Sequence, residues 1–496
     1  MLFGIALWCL AEALFRRSFS AVLGVDDAEP LLLAQDIQWL HHPHRPPFYY
    51  WLTWLFAQFN GYNLDTVLLV KYSTIAAALV LFYAIARRLL QRWQGAVAAL
   101  LGLTFLYDTG FNPHLNLAHT LGLWLTVTLA FWLMLRAGER PSLQNFVLLG
   151  LALGLGLLSK PSFLAVVPCL LLAGLLSPRL PGLRRWPKLA LAVAIMAAIY
   201  LPYLWLNQQQ DEGLIGTAAA NVAPEIRSGD WHVLLLARLE GFERIARFTL
   251  LFLLPFLVLW LALFARGPWL HGLRSPTLRP ILLFTLFSMA LLVLANVAIG
   301  LSELKQRYML PYLLFVPILA FGTLESVGRG IRFASTAGRL YIAAAAVAFL
   351  GTLAFQHYYL TTSPTDCGRC RWQQPYSELA DWVAAQGYRE GTLVAGDEWI
   401  GGHVLVRLPG FRVLTVGYPF WHAGAPPPGR QGSCLLIWEP AKLRGKAREM
   451  ARIVADVYGE EVPQVAPQAV TLAFAGSPET QHRYFWAELP PAGDCR

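Results

Sequence analysis

The sequence predicts a multi-pass α-helical membrane protein of about 11 transmembrane helices, followed by a C-terminal extracytoplasmic α/β domain. Three observations predict it. Hydrophobic residues make up 56% of the 496 positions and charged ones only 14%, against about a quarter charged in soluble domains; the mean hydropathy is +0.48. Apolar stretches near the roughly 20 residues that cross a bilayer recur from Leu2 to Phe355. From Thr361 to Arg496 the composition turns polar, with Pro, Gly and charge rising together.

The spans are expected at Leu2 to Phe15, Leu64 to Leu90, Gly95 to Tyr107, Leu115 to Leu135, Phe146 to Leu158, Phe163 to Leu176, Leu189 to Leu206, Phe248 to Phe264, Ile281 to Gly300, Tyr308 to Leu324 and Leu340 to Phe355. Several are short and must tilt, pair or thin the bilayer. Lys and Arg collect in cytoplasmic connections, and with the N-terminus inside, alternate loops carry Arg87, Arg88 and Arg92; Arg136 and Arg140; Arg179, Arg184, Arg185 and Lys188; Arg266, Arg274 and Arg279; and Arg329, Arg332 and Arg339. The pattern holds only if 146–176 is two short helices meeting at Ser159-Lys160-Pro161, which puts Lys160 at the outer end of a hairpin. Topology then accounts for the net charge of +9, and nothing calls for nucleic-acid binding. The first span lacks a basic leader and a small-residue cleavage site, so it reads as an anchor in which Glu12 and Arg16 pair at helical spacing.

The membrane part is expected over 1–357, with an outer loop at 24–63 carrying amphipathic helices, and the outer domain over 358–496. In that domain a helical period at Tyr376 to Gln386 precedes strand-like runs at Thr392 to Ala395, His403 to Leu408, Arg412 to Val416 and Cys434 to Trp438, and Lys442 to Tyr458 reads as a helix. Cys367, Cys370, Cys434 and Cys495 all fall there. An even number in an oxidising compartment favours structural disulfides over half a zinc site or a redox pair, with the connectivity open.

The chemistry is expected at the outer face. Asp26 and Asp27 stand where the first span ends, beside Glu29. One acid could cap a short helix starting near Pro30; two in a row at an apolar boundary point to a bound cation or a tuned base. The segment Phe48 to Phe59, crowded with aromatic residues after Pro46-Pro47, reads as an interfacial helix forming a wall at headgroup level. Lys71, Asp108, Lys160, Glu303, Lys305 and Arg307 fall on or near the outer leaflet, where charge is costly unless it faces a wet cavity, pairs, or holds a ligand. Converging cations suit a phosphate or diphosphate headgroup. A transporter or flippase of lipid-linked sugars, or an assembly scaffold, remains an alternative at this point, although no paired repeats of the transporter kind are visible.

Asp26-Asp27-Ala28-Glu29 followed by His44-Arg45-Pro46-Pro47-Phe48-Tyr49-Tyr50-Trp51-Leu52 resembles the acidic pair and basic-Pro-Pro-aromatic signature of GT-C glycosyltransferases. The bacterial aminoarabinose transferases and the protein O-mannosyltransferases are the nearest in pattern. Further matches are Phe111-Asn112-Pro113-His114, Gly154-Leu155-Gly156-Leu157-Leu158-Ser159-Lys160-Pro161 and Leu304-Lys305-Gln306-Arg307-Tyr308-Met309-Leu310-Pro311. The resemblance implies a membrane enzyme that moves a sugar, with inversion, from a polyprenyl-phosphate carrier of undecaprenyl type to an envelope glycan, lipid or protein on the outer face of the bacterial cytoplasmic membrane. It implies Asp26 as the base with Asp27 in support, and Arg45, Lys160, Lys305, Arg307, Asn112 and Asp108 as donor-phosphate or substrate contacts. It also implies a divalent metal ion beside residue 44. His44 departs from the acid that relatives carry there, so zinc-type ligation with His232 or another His of 207–247 becomes the form such a site would take.

Overall fold

The computed structural model describes residues 1–42, 45–115, 117–209, 223–225, 230–362, 372–418, 424, 432–440, 446–459, 462–474 and 477–496. Helices fall at every expected span. Chain order gives α1 (Leu2–Phe19), α2 (Val25–Leu33), α3 (Phe48–Asn60), α4 (Leu64–Leu89), α5 (Trp93–Gly102), α6 (Tyr107–Gly110), α7 (Asn112–Leu115), α8 (Ala118–Glu139), α9 (Leu143–Leu157), α10 (Phe163–Leu176), α11 (Trp186–Gln208), α12 (Trp231–Phe264), α13 (Arg279–Ile299), α14 (Leu310–Leu313), α15 (Val316–Ser326) and α16 (Thr336–Thr361). Among the described residues six helices are long and apolar enough to cross a bilayer, or seven if the bent pair Gln306–Leu313 and Val316–Ser326 is one span; Trp93–Phe105, Leu143–Leu157 and Phe163–Leu176 are shorter. The most buried spans, α4 and α8, form the centre of the bundle, while α11, α12, α13 and α16 bury little of their apolar surface against protein and present the rest outward, as lipid-facing helices do.

Polar side chains set the helix starts. Asn63, Ser142, Asp230 and Ser335 each accept a hydrogen bond from an amide of the first turn of α4, α9, α12 and α16, using donors that would otherwise lack a partner. The connections rich in arginine meet at one end of the bundle: Arg88 donates to Glu139 at 2.6 Å, Arg179 pairs with the same carboxylate at 3.2 Å, and Glu325 accepts from the Gln91 amide at 2.6 Å. The acids of α2, the turn carrying Lys160 and the N-terminal part of α4 meet at the other.

Several expectations are corrected. The helix expected near Pro30 begins at Val25 with Gly24 as its N-cap, so Asp26 and Asp27 sit in its first turn rather than before it. Glu12 and Arg16 do not pair; Gln356 donates to Glu12 at 3.0 Å, and Arg16 donates to the carbonyls of Ser20 and Val22, because the chain unwinding after α1 leaves carbonyls within its reach. The helix expected to start at Phe248 starts at Trp231, its added turns supported by the i,i+4 pairs Glu240–Arg244 and Glu243–Arg247. The span expected over Tyr308 to Leu324 is bent by 40°, where Pro317 opens α15 without an amide hydrogen to continue the ladder.

The C-terminal part holds a five-stranded sheet ordered β2-β1-β3-β5-β4. β1 (Gly391–Ala395) pairs in parallel with β2 (Phe411–Thr415) and β3 (Ser433–Trp438), while β5 (Ser477–Leu489) runs antiparallel to β3 and to β4 (Gln468–Phe474). Helices α17 (Tyr376–Ala385), α18 (Glu398–Arg407) and α19 (Ala447–Tyr458) accompany it. The expected strand at His403 to Leu408 is instead the end of α18, started by Asp397, which accepts from the Ile400 amide at 2.8 Å. Cys434 and Cys495 form a disulfide across 61 positions of sequence; Cys367 and Cys370 lie outside the described residues.

Because that bond ties the extreme C-terminus to the middle strand, Cys434→Ser with Cys495→Ser should lower the thermal stability of the full chain. The closed loop sets an upper bound of about 4 kcal/mol. A thermal unfolding series under non-reducing conditions checks it; an unchanged midpoint would show that the sheet holds the terminus without the bond.

Candidate functional site

The site is built around α2. Its first-turn amides favour negative charge, which suits Asp26 and Asp27. Asp26 Oδ2 accepts from the Leu117 amide at 2.7 Å. Leu117 has φ +82°, the single non-glycine residue with positive φ among those described. A branched residue held in the left-handed region marks strain sustained by its surroundings, and here that backbone aims an N–H at Asp26. Asp27 is different: its Oδ1 lies 2.7 Å from Lys71 Nζ, and both side chains are at most 5% exposed. Glu29, equally buried, pairs with Arg45, accepts from the Tyr50 hydroxyl at 2.5 Å and has His119 Nε2 at 3.7 Å. Burial alone would raise the Glu29 carboxyl, but Arg45 and His119 outweigh it and hold the group well below the usual glutamate range. Arg45 in turn donates to the Tyr418 hydroxyl of the sheet domain at 2.9 Å.

A second group gathers at the turn between α9 and α10. Lys160 Nζ donates to Thr120 Oγ1 at 2.9 Å and stands 5.3 Å from the centre of the Tyr308 ring, which Arg307 also overlies at 5.8 Å. Burial and the neighbouring Arg307 lower the Lys160 amine to about 7, against the opposing pull of Asp26 and Asp108. Asp108 is 1% exposed and accepts from Asn112 at 2.8 Å. Burial raises its carboxyl, and Asn112, Arg307 and Lys160 oppose that rise. The Nε of Arg307 is buried with no hydrogen-bond partner among the described residues. Two cations therefore face Asp26 and Asp108 with donor capacity to spare.

Of the residues singled out by sequence, Asp26, Asp108, Lys160 and Arg307 are brought into one electrostatic group, with Asn112 orienting Asp108. Asp27 borders the same small cleft as Asp26, floored by Pro30, Tyr49 and Val67. Arg45 is drawn away to Glu29 and Tyr418. Lys305 is exposed, and its side chain makes no hydrogen bond or ion pair with the described residues. His44 lies outside the described residues. The His232 ring lies tilted against Trp231 at the start of α12. No group of three or more His, Cys, Asp and Glu converges among the described residues, and the carboxylates flanking Asp26 are each committed to a cation.

Lys71 was conspicuous in the sequence as a charge within an apolar helix, but its bond to Asp27 was not. Thr120, His119, Tyr308 and Tyr418 were missed. His119 and Thr120 had one usable signal, polar residues in the first turn of a span, and Tyr308 another, an aromatic ring directly after Arg307.

Residues 44–205 match the family described as dolichyl-phosphate-mannose-protein mannosyltransferase. The chain is 27% identical over 498 residues to lipopolysaccharide core galacturonosyltransferase RgtB of Rhizobium johnstonii, covering 98% of this chain and 97% of that one. It is 31% identical over 205 residues to undecaprenyl phosphate-alpha-4-amino-4-deoxy-L-arabinose arabinosyl transferase of Pseudomonas aeruginosa, 40% of this chain and 36% of the relative. Among solved structures, ArnT from Cupriavidus metallidurans bound to undecaprenyl phosphate superposes with a TM-score of 0.60 at 16% identity, over 98% of this chain and 97% of that one; this likeness concerns the fold. The chain is a glycosyltransferase of the GT-C fold, a multi-pass membrane enzyme. Within that class it resembles the bacterial aminoarabinose transferases and protein O-mannosyltransferases. The transporter and scaffold alternatives give way to that reading.

The different partners of the acids predict different losses. Asp27→Asn leaves Lys71 buried without its counter-charge and should cost about 3–5 kcal/mol, with part of that recovered in Asp27→Asn/Lys71→Met; Asp26→Asn, bonded only to an amide, should leave the melting point nearly unchanged. For Glu29 the folded pKa is depressed, so its contribution to stability is fully present above the ordinary glutamate value of about 4.3 and is lost as pH falls below it. Glu29→Gln should therefore flatten the acid limb of a stability-against-pH curve; an acid limb identical to that of the parent protein would count against it.

Proposed function

We propose that this enzyme transfers a sugar, with inversion, from an undecaprenyl-phosphate-type donor to lipopolysaccharide on the outer face of the bacterial inner membrane. In this reading all eleven apolar helices of 1–357 cross or enter the membrane, the N-terminus is cytoplasmic, and 358–496 is extracytoplasmic. The observation that carries the chemistry is the contrast among the three acids of α2. Asp27 and Glu29 are held by cations, whereas Asp26 is held by a neutral amide and has no ion-pair partner among the described residues. Asp26 is thus the acid able to take a proton.

The acceptor hydroxyl oxygen attacks the anomeric carbon while its proton passes to Asp26. The bond from that carbon to the phosphate oxygen breaks, and its electron pair leaves with the carrier phosphate. Lys160 and Arg307 stabilise the charge that grows on this leaving group, and both cations lie beside the Tyr308 ring. Asp27 and Lys71 fix the helix that aims Asp26. The full-length relationship to a lipopolysaccharide core galacturonosyltransferase supports a hexuronic acid as the sugar, and a site rich in cations agrees with an anionic donor.

Asp26→Asn should reduce transfer by about 10² to 10⁴ with carrier-phosphate binding intact. Mass spectrometry of lipopolysaccharide from cells with and without the protein reads sugar and acceptor together, and unchanged modification would remove the assignment. Lys160 is charged below about 7 and neutral above it, so the affinity of the free enzyme for undecaprenyl phosphate should fall as pH rises through that value. In Lys160→Ala the dependence should vanish along with most of the affinity.

A further inference from the structure

The C-terminal sheet domain supplies no reacting group in this scheme, yet it grips α2 at three points. Before the helix, His403 of α18 is 3% exposed and has its Nδ1 2.7 Å from the Trp399 carbonyl. That contact requires the proton on Nδ1 and leaves Nε2 to accept the Leu23 amide at 2.7 Å, three residues ahead of Asp26. Tyr376 stacks on the ring with centroids 4.8 Å apart. Mid-helix, α18 presents Gly401 and Gly402. A Cβ on Gly402 would fall 2.8 Å from Ala28 Cβ and 3.1 Å from its carbonyl oxygen, and one on Gly401 3.2 Å from Leu32. After the helix, Gln35 treats the free edge of β2 as a neighbouring strand would: its amide nitrogen donates to the Val413 carbonyl at 2.9 Å, and its oxygen accepts the Val413 amide at 2.9 Å. The edge strand is thereby covered, and the covering group belongs to the segment that carries the acids.

We propose that the C-terminal domain is a clamp that sets the position of the acid-bearing helix, and that His403, Gly402 and Gln35 are positioning residues for Asp26. The proposal rests on Asp26 as the base. Each contact is made to backbone or to an apolar residue rather than to one of the acids; together they fix both ends and the middle of a nine-residue helix. A displacement of about 1 Å at a reacting group costs on the order of 10² in rate, which makes such a clamp consequential without any group of its own at the centre.

The test uses the full chain. His403→Leu removes the acceptor for Leu23, and His403→Gln offers an oxygen in its place. The expected result is a kcat reduced about 10²-fold in His403→Leu with donor KM within about twofold, largely restored in His403→Gln, and faster hydrogen exchange over 24–33 in the Leu variant alone. Gln35→Met, which acts at a half-exposed edge and leaves Val413 to water, should show the same kcat-against-KM split in milder form. A parent-like kcat in His403→Leu, or unchanged exchange over 24–33, overturns the clamp; so does equal loss in the Leu and Gln variants accompanied by a fall in melting point, which would mark His403 as structural only. Failure of the base assignment is read separately, from transfer surviving Asp26→Asn, since the exchange measurement does not depend on which acid takes the proton.

Discussion

Three carboxylates within four consecutive positions at a membrane boundary are the constraint from which the rest follows. At separations of roughly 6 Å and an effective dielectric constant near 20, each like-charge pair costs on the order of 3 kcal/mol, before the loss of hydration. The fold answers each acid differently. Lys71 comes from a transmembrane helix, Arg45 from the loop ahead of the aromatic helix, and the Leu117 amide from a backbone twisted into the left-handed region. Bringing these three partners to one turn of helix fixes the relative placement of α2, α4, the start of α8 and the loop ahead of α3. The result is an asymmetric trio in which two charges are structural and one is left for chemistry.

The second group obeys the same logic with the sign reversed. Lys160, Arg307, Asp108 and Asn112 come from three separate turns at one end of the bundle, where both cations lie beside the Tyr308 ring and Asn112 holds Asp108. Leaving two cations short of hydrogen-bond partners is costly in a protein interior. The cost is offset when a phosphate arrives, so an arrangement unfavourable in isolation becomes binding energy in the complex. The short helices α9 and α10 make this possible, because a continuous span would carry Lys160 into the bilayer core.

Much of this was legible in the sequence. Apolar length and the alternation of arginine-bearing loops located the helices and required the break at Ser159-Lys160-Pro161, which the structure contains between Leu157 and Phe163. The aromatic run after Pro47 is α3. Pairings were not legible. That Asp27 meets Lys71 and Asp26 meets an amide depends on how helices distant in sequence pack, and composition carries no trace of it. Local pattern misled where tertiary contact overrode it: His403 to Leu408 has a strand-like composition, but Asp397, Gly401 and Gly402 just ahead of it serve a helix pressed against Ala28. The β4–β5 hairpin was missed because β5 carries Glu479, Gln481 and Arg483, exposed polar residues that mask the strand leading to buried Tyr484.

The two groups meet through Asp26. It lies in the field of Lys160 yet is bonded to neither cation, and this separation is functionally sensible. A base locked into an ion pair would lose its proton affinity, while a base remote from all cations would resist carrying charge in a site closed to water. An amide bond to one oxygen is a compromise between these extremes: it orients the carboxylate without neutralising it. The strain at Leu117 is then intelligible as a consequence of that need, since a residue in ordinary helical geometry at the start of α8 would turn its N–H along the helix axis and away from Asp26.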